Sequence, residues 1–213
     1  MAEQKEKKFK FSEFVTPVGI AKYCWVVNPD SGFDGKGDPK FKLRLLIDDT
    51  TEAREWVERV ISKGVEEAKA AGIKLKKVFK NPFQFPEDQD EDDYVPQDGK
   101  DKPKLDEDHQ GRIFFEIKSG FKPGLIDSAR EELPEDIKIM SGDKVRVKFV
   151  LNPYEGLGSG ISLRLKVVQL IEKNTSYSGG GRPNTDGFDD IDGYRAGGGG
   201  DSTEDDNEDG TKF

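Results

Sequence analysis

Alternating hydrophobic and polar residues predict two long strands in the C-terminal half of the chain. Apolar side chains occupy every second position of residues 144–151 and again of residues 161–167, with mostly cationic side chains between them. A period of two is typical of a strand that buries one face. Residues 152–160, rich in glycine and proline, predict a hairpin loop longer than the tightest turns. The ribbon would have one apolar and one cationic face. With Tyr154 at its rim, it suits a polyanion that carries flat bases.

The same period recurs earlier in the chain. Residues 9–27 are strand-like on both sides of a bend at residues 17–19, where proline and glycine interrupt the pattern. Residues 40–47 and 112–118 alternate as clearly as the final hairpin. Residues 137–140 are predicted to form one more short strand. These segments give about five principal strands.

One helix is predicted between the second and third of these strands. Asp49 is the expected N-cap, with Glu52 three residues later, and apolar residues follow at helical spacing from residue 53 to residue 64. Gly72 marks the expected end of the helix. We expect Trp56 to be structural, because this helix is most simply a plug packed on the sheet.

The fold class predicted from these elements is all-β with one helix, arranged as a five-stranded OB-like barrel. A small closed barrel leaves no long unpaired sheet edges. A sandwich of two sheets is the alternative. Residues 73–86 mix cations and aromatic rings without a clear period and are predicted to be a surface connector.

Composition divides the chain into regions. Residues 1–8 are predicted to be a flexible arm, and residues 9–173 the OB-fold domain, which includes an acidic loop at residues 87–108. Residues 174–213 hold ten of the 24 glycines and almost no aliphatic residues. Such a segment cannot form a core, so we expect a disordered acidic C-terminal tail.

The acidic net charge of -9 comes from two of these regions. The tail holds ten acidic and three basic residues, and the loop at residues 87–108 holds eleven acidic and three basic residues. The rest of the chain carries 28 basic and 22 acidic side chains, a net charge of +6. A cationic body is compatible with binding to a nucleic acid.

Few residues point to catalysis. Cys24 is the only cysteine, which excludes an intrachain disulfide and favours a reducing compartment. His109, the only histidine, is expected to be a solvated loop residue. We therefore predict a protein that is not an enzyme and has no catalytic residues, metal or cofactor. No apolar run is long enough for a membrane span. A metal-dependent nuclease stays an alternative, although the clusters of carboxylates lie in the acidic loop and the tail, where disorder is expected.

Cationic and aromatic side chains are the candidates for contacts to a nucleic acid. The cations on predicted outer faces are Lys40, Lys42, Arg44, Arg146, Lys148, Arg164 and Lys166. The candidate stacking rings are Tyr23, Trp25, Phe33, Phe114 and Tyr154. For Tyr23 and Trp25, core packing and base stacking are equally good interpretations.

Several segments together resemble a known family. Residues 23–30, 38–45 and 144–154, together with an acidic tail that ends in Phe213, resemble the replication single-stranded DNA-binding proteins of tailed bacteriophages. The resemblance covers most of residues 9–173 and the extreme C-terminus. It implies an OB-fold that binds single-stranded DNA independently of sequence during DNA replication, recombination and repair. The location it implies is the cytoplasm of the infected bacterial host.

The resemblance also implies roles for individual residues. Lys40 resembles the family's basic residue that follows Asn/Asp-Pro in the DNA groove, and Tyr154 resembles its stacking tyrosine. Glu155 departs from the family, where basic or aromatic residues are usual. A homodimer is left open.

The tail carries the second implied function. Phe213 resembles the family's terminal aromatic residue, which docks on phage DNA polymerase and helicase-primase. The acidic side chains upstream of it would meet a basic rim on the partner. These acids are Asp205, Asp206, Glu208 and Asp209. The alternative is an acidic interaction adaptor that does not bind DNA, and the simplest alternative for the tail is a solubilising segment.

Overall fold

The computed structural model of the chain describes residues 9–32, 35, 37–86, 109–155 and 158–174. The predicted arm at residues 1–8, the acidic loop at residues 87–108 and nearly all of the predicted tail lie outside the described residues.

The described residues form eight strands and one α-helix. In chain order these are β1 (Glu13–Val15), β2 (Gly19–Asp30), β3 (Lys40–Asp48), α1 (Thr51–Ala70), β4 (Phe83–Gln84), β5 (Arg112–Ser119), β6 (Gly124–Ile126), β7 (Lys144–Tyr154) and β8 (Gly160–Glu172). The predicted bend at residues 17–19 separates β1 from β2. Residues 137–140 form no strand, so that prediction was wrong, although Ile139 is buried.

Five strands close into a ring in the order β7, β2, β3, β5, β8 and back to β7. Every neighbouring pair is antiparallel except β5 and β8, which meet in one parallel bridge between Lys118 and Arg164. The short strands β1, β4 and β6 pair with β7, β5 and β8. The ring confirms the predicted OB-like barrel over the sandwich alternative.

Four aromatic rings form an interior aromatic cluster, defined here as Trp56, Phe83, Phe115 and Phe149. The centroids of Phe83 and Phe115 lie 4.7 Å apart, and Trp56 contacts Phe83 edge-on at 5.6 Å. Trp56 is therefore structural, as predicted. Phe83 is fully buried, so residues 73–86 are more than a surface connector. They add β4 and one of the largest core side chains to the barrel.

Helix α1 begins one residue later than the predicted cap implies. The Thr50 side chain accepts a hydrogen bond from the Ala53 backbone N–H at 3.2 Å, which makes Thr50 the N-cap. Asp49 instead accepts two hydrogen bonds of 2.7 Å from Arg54. Gly72 ends the helix region with a φ of +76°, as predicted. In the described part of the chain, no helix is long and apolar enough to cross a membrane.

Candidate nucleic-acid interface

Strand β2 carries two exposed aromatic rings because its pairing with β3 contains a bulge. Lys22 pairs with Arg44, but the next pair joins Trp25 to Lys42, so β2 has one extra residue, and Tyr23 adopts a φ of +46°. A bulge of this kind redirects the side chains that follow it. Tyr23 is 53% exposed and Trp25 is 46% exposed. These exposures exclude core packing for both rings.

Cys24, between the two rings, is turned toward the interior. Its Sγ lies 3.7 Å from the Ile139 carbonyl oxygen, and burial raises the pKa of the thiol to about 12. The bulge thus exposes two rings while the residue between them stays protected.

Arg44 on β3 is held between two aromatic rings. Its guanidinium carbon lies 5.1 Å from the Tyr23 ring centroid and 5.2 Å from that of Phe114. Both distances are within the range of cation–π attraction. Arg44 Nη1 also lies 3.3 Å from His109 Nε2. These contacts fix the guanidinium on the outer surface of the sheet.

His109 and Phe114 lie beneath Arg44. His109 is only 2% exposed and its ring packs against Phe114 at 4.7 Å, so the expectation of a solvated loop histidine was wrong. Phe114 is 7% exposed. Its predicted stacking on a base does not fit this packing, because the ring supports Arg44 and has little surface left.

Two adjoining cavities form a groove on this wall of the barrel. The first, of about 220 Å³, is lined by Tyr23, Trp25, Lys42, Leu43, Arg44 and Glu116. The second, of about 560 Å³, extends to the end of β7, and its lining includes Lys80, Gln84, Lys118, Asn152 and Tyr154. Arg44 and Glu116 line both cavities. The groove therefore runs from the two rings of β2 to Tyr154.

Tyr154 is held at the far end of the groove by the β7–β8 hairpin. It is half-buried and pairs with Gly160 across the hairpin. A β-carbon at position 160 would lie 2.6 Å from Tyr154 Oη and 2.8 Å from its Cζ. A side chain at position 160 would therefore force the tyrosine ring to shift. Glu155, the residue that departs from the family pattern, accepts a hydrogen bond of 2.7 Å from the Lys74 backbone N–H. Its carboxylate therefore binds the backbone of residues 73–86.

Cations predominate along the described lining of the groove, with Glu116 as the acidic exception. Burial raises the pKa of Glu116, but the hydrogen bond from Lys118 and the charges of Lys42 and Arg44 outweigh it and hold this pKa below its usual value. Glu116 is thus a carboxylate at neutral pH. Lys42 also forms an ion pair of 2.5 Å with Asp30, and that hydrogen bond is the main reason that the pKa of Asp30 is lowered.

The other predicted cations do not line this groove. Lys40 is exposed at the first position of β3. Arg146 donates a hydrogen bond of 3.3 Å to the Thr16 carbonyl oxygen, and Lys148 pairs with Glu13 at 2.6 Å. Arg164 and Lys166 line a different cavity. Of the predicted cations, the groove therefore brings together Lys42 and Arg44, and the wall that would include the others stays a prediction.

Six of the candidate residues are not among those that the structure describes. Phe33 lies outside the described residues, and so do Asp205, Asp206, Glu208, Asp209 and Phe213. Their predicted roles stay predictions.

Lys80 and His109 were missed as residues of this site, and Lys118 was expected only to reach solvent or ligand. Lys118 is in phase with the outer positions of β5, so the alternation of residues 112–118 contained the signal for it. Lys80 lies in a segment without periodicity, and it joins the site through an isolated bridge to Gly160. His109 has no local sequence signal, because its burial depends on β3 and β5.

Comparison with known proteins adds family information to this geometry. The model of the family described as "Enterobacter phage Enc34, ssDNA-binding protein" matches residues 15–203. No curated protein sequence matches the chain.

Solved structures from bacteriophages Enc34 and T7 are similar to this chain. The single-stranded DNA-binding protein of bacteriophage Enc34 in complex with ssDNA has a TM-score of 0.55 at 16% identity, covering 79% of this chain and 97% of that one. A C-terminal truncation of the Enc34 protein has a TM-score of 0.54 at 20% identity, covering 76% of this chain and 86% of that one. The bacteriophage T7 single-stranded DNA-binding protein gp2.5 has a TM-score of 0.51 at 22% identity, covering 87% of this chain and 99% of that one.

At these identities, the structural likeness concerns the fold. The family model, in contrast, spans most of the chain, including the strands that build the groove. This chain belongs to the family of the single-stranded DNA-binding protein of Enterobacter phage Enc34.

Proposed function

We propose that this protein binds single-stranded DNA along the groove, without sequence preference and without catalysing a reaction. The observation that carries the proposal is the exposure of Tyr23 and Trp25 beside the cations of β3, in a groove that continues to Tyr154. Family membership supports the same ligand, since the family is named for binding ssDNA.

Aromatic rings and cations have separate tasks in this proposal. Bases stack on Trp25, Tyr23 and Tyr154, and each stacked base contributes about 1–3 kcal/mol. Stacking selects single strands, because the bases of a duplex are already stacked and paired. It is independent of sequence, because every base has a flat face.

The cations bind the phosphates between the stacked bases. Lys42, Arg44, Lys80 and Lys118 are the lining cations that we assign to this task. Each phosphate neutralised in a single strand contributes roughly -0.7 to the slope of log affinity against log salt concentration. Arg44 has a fixed orientation, so it sets the path of the backbone without a large loss of side-chain entropy.

We further propose a role in phage DNA replication, recombination and repair, in the cytoplasm of the infected host. In this proposal the acidic side chains from Asp205 to Asp209, together with Phe213, recruit the phage DNA polymerase and helicase-primase. The support is the sequence alone: a run of carboxylates near an aromatic side chain suits a basic surface with an apolar pocket.

A fluorescence-anisotropy titration tests DNA binding directly. Labelled oligothymidine and a labelled duplex are titrated with the intact protein at two salt concentrations. We expect much tighter binding to the single strand, and weaker binding at the higher salt concentration. Equal affinity for the duplex would refute the proposal, and no binding to either would favour the acidic adaptor.

Recruitment needs a separate assay. Deletion of residues 201–213 should abolish capture of the phage polymerase and leave binding to oligothymidine in place. Replacement of Phe213 by alanine tests the aromatic contribution at unchanged charge. Polymerase capture by the truncated protein would remove this part of the proposal.

A further inference from the structure

A second cavity with cationic and aromatic lining lies where β1 and the preceding residues meet β7 and β8. It has a volume of about 300 Å³ and is lined by Phe9, Lys10, Phe11, Glu13, Val150, Arg164 and Lys166. Phe9 is 43% exposed, and its ring is held by Phe11 at a centroid distance of 4.9 Å. The cavity thus combines an exposed, supported ring with cations, as the groove does.

The negative charge of the Glu13 carboxylate, which lines this cavity, is balanced by a lysine. Glu13 pairs with Lys148 at 2.6 Å, and the hydrogen bond from Lys148 is the main reason that the pKa of Glu13 lies below its usual value. Lys166 and Lys10 lower this pKa further by their charges. With Glu13 balanced by Lys148, the charges of Lys10, Arg164 and Lys166 are in excess at this surface.

The second cavity and the groove lie on either side of the bridge between β5 and β8. Lys118, which lines the groove, is paired in register with Arg164, which lines the second cavity. Bridged strands lie about 4.8 Å apart. Both side chains are exposed on the outside of the barrel. Cations therefore follow one another from the groove across this bridge to Lys166.

We propose that the DNA strand in the groove continues across the bridge between β5 and β8 into this second cavity. There its phosphates contact Arg164, Lys166 and Lys10, and a base stacks on Phe9. This inference rests on the proposed function, and it adds a second subsite that lengthens the binding site. The pairing of Lys118 with Arg164 across the bridge and the excess of positive charge identify the occupant as the same polyanion.

Two oligothymidines of different length separate the subsites. Oligomers of about 6 and about 16 nucleotides lie within the range of site sizes of OB folds. The test variant is Lys10→Gln/Lys166→Gln, and the matched control is Arg59→Gln/Lys63→Gln, which removes two charges from the exposed face of α1. Thermal unfolding checks that each variant folds like the wild type.

We expect the test variant to bind the long oligomer about tenfold more weakly, with a salt slope reduced by about 1.4, since two phosphate contacts are lost. Its affinity for the short oligomer should be unchanged, and the control should bind both like the wild type. Phe9→Ala should weaken binding to the long oligomer about fivefold or more without changing the salt slope, because a stacking contact is lost but no charge is removed.

Other results overturn the inference. An unchanged affinity for the long oligomer would show that the strand does not enter this cavity, and equal losses for both oligomers would show that it is no separate subsite. Loss of polymerase capture with unchanged DNA binding would assign the surface to a protein partner. If wild-type protein bound neither oligomer, the proposed function itself would fail.

Discussion

The chain uses aromatic rings in two regions, and their surroundings differ completely. The interior aromatic cluster lies between the barrel and α1, where Phe83, Phe115 and Phe149 have almost no exposed surface. Tyr23 and Trp25 lie outside, about half exposed and beside Lys42 and Arg44. Interior rings contribute to stability through burial. Half-exposed rings contribute less to stability because less of their surface is buried. Their exposure is explained if their faces bind a ligand. The two regions should therefore respond differently to mutation.

The largest expected effect comes from the interior. Phe83→Ala should lower the free energy of unfolding by about 3–5 kcal/mol, because it leaves a cavity among closely packed rings. Denaturant unfolding measures this effect. Val78→Ala, at an exposed position of the same segment, should change stability by less than about 0.5 kcal/mol. A similar result for both variants would mean that β4 contributes little to the core.

The reverse is expected for the groove. Trp25→Ala should weaken binding to oligothymidine by about 1–3 kcal/mol, while the unfolding free energy changes little, because the lost ring contacts bases and not the core. Val18→Ala is the control, since Val18 has a similar exposure of 47% but does not line the groove. A large loss of stability in Trp25→Ala without loss of affinity would remove the distinction between the two regions.

Arg44 tests whether the geometry of a cation matters in addition to its charge. Arg44→Lys keeps the charge but loses the planar group between Tyr23 and Phe114. We expect weaker DNA binding by about 1 kcal/mol with the salt slope of the wild type. Arg44→Gln should also reduce the slope by about 0.7. If the lysine variant bound like the wild type, the two flanking rings would have no role in binding.

The smallest expected effect concerns Glu116, which lies near the proposed path of the phosphates. Glu116→Gln should tighten DNA binding by about twofold to fivefold at low salt, because a negative charge leaves the groove. Glu66→Gln, on the exposed face of α1, is the matched control. Weaker binding by Glu116→Gln would mean that its contact with Lys118 positions that cation for DNA.

Acidification should reveal the same carboxylate. Because the folded-state pKa of Glu116 is lowered, ionised Glu116 stabilises the protein above its unfolded pKa, and this contribution is lost as pH falls through the folded pKa. At pH values below 4.5, the ordinary pKa of a glutamate side chain, the wild type should lose stability that Glu116→Gln does not lose. Parallel unfolding curves for the two proteins across this range would contradict the assignment.

The sequence was sufficient for the barrel because alternation reports which side of a strand is buried. The inward positions of β3, β5, β7 and β8 followed directly from their period of two. Gly72 and the role of Trp56 also followed from local patterns. The N-cap could not be predicted from the local pattern, because Asp49 and Thr50 are both good capping residues. In the structure Asp49 binds Arg54, and Thr50 caps the helix.

The site was predicted less completely, since alternation does not say where on a closed ring an outward residue lies. Lys42 and Arg44 share a groove with Tyr154, whereas Arg164 and Lys166 lie beyond the bridge to β8. The exposure of Tyr23 and Trp25 depends on a bulge that only the pairing with β3 reveals. The support of Arg44 by His109 joins residues that are distant in the chain.

The close approach of Tyr154 to Gly160 restricts how this hairpin can vary. Any side chain at the residue opposite the tyrosine would meet the end of the phenol ring. Even alanine there would push the ring away from its seat. The absence of a side chain at Gly160 therefore helps to set the position of the Tyr154 ring on the neighbouring strand.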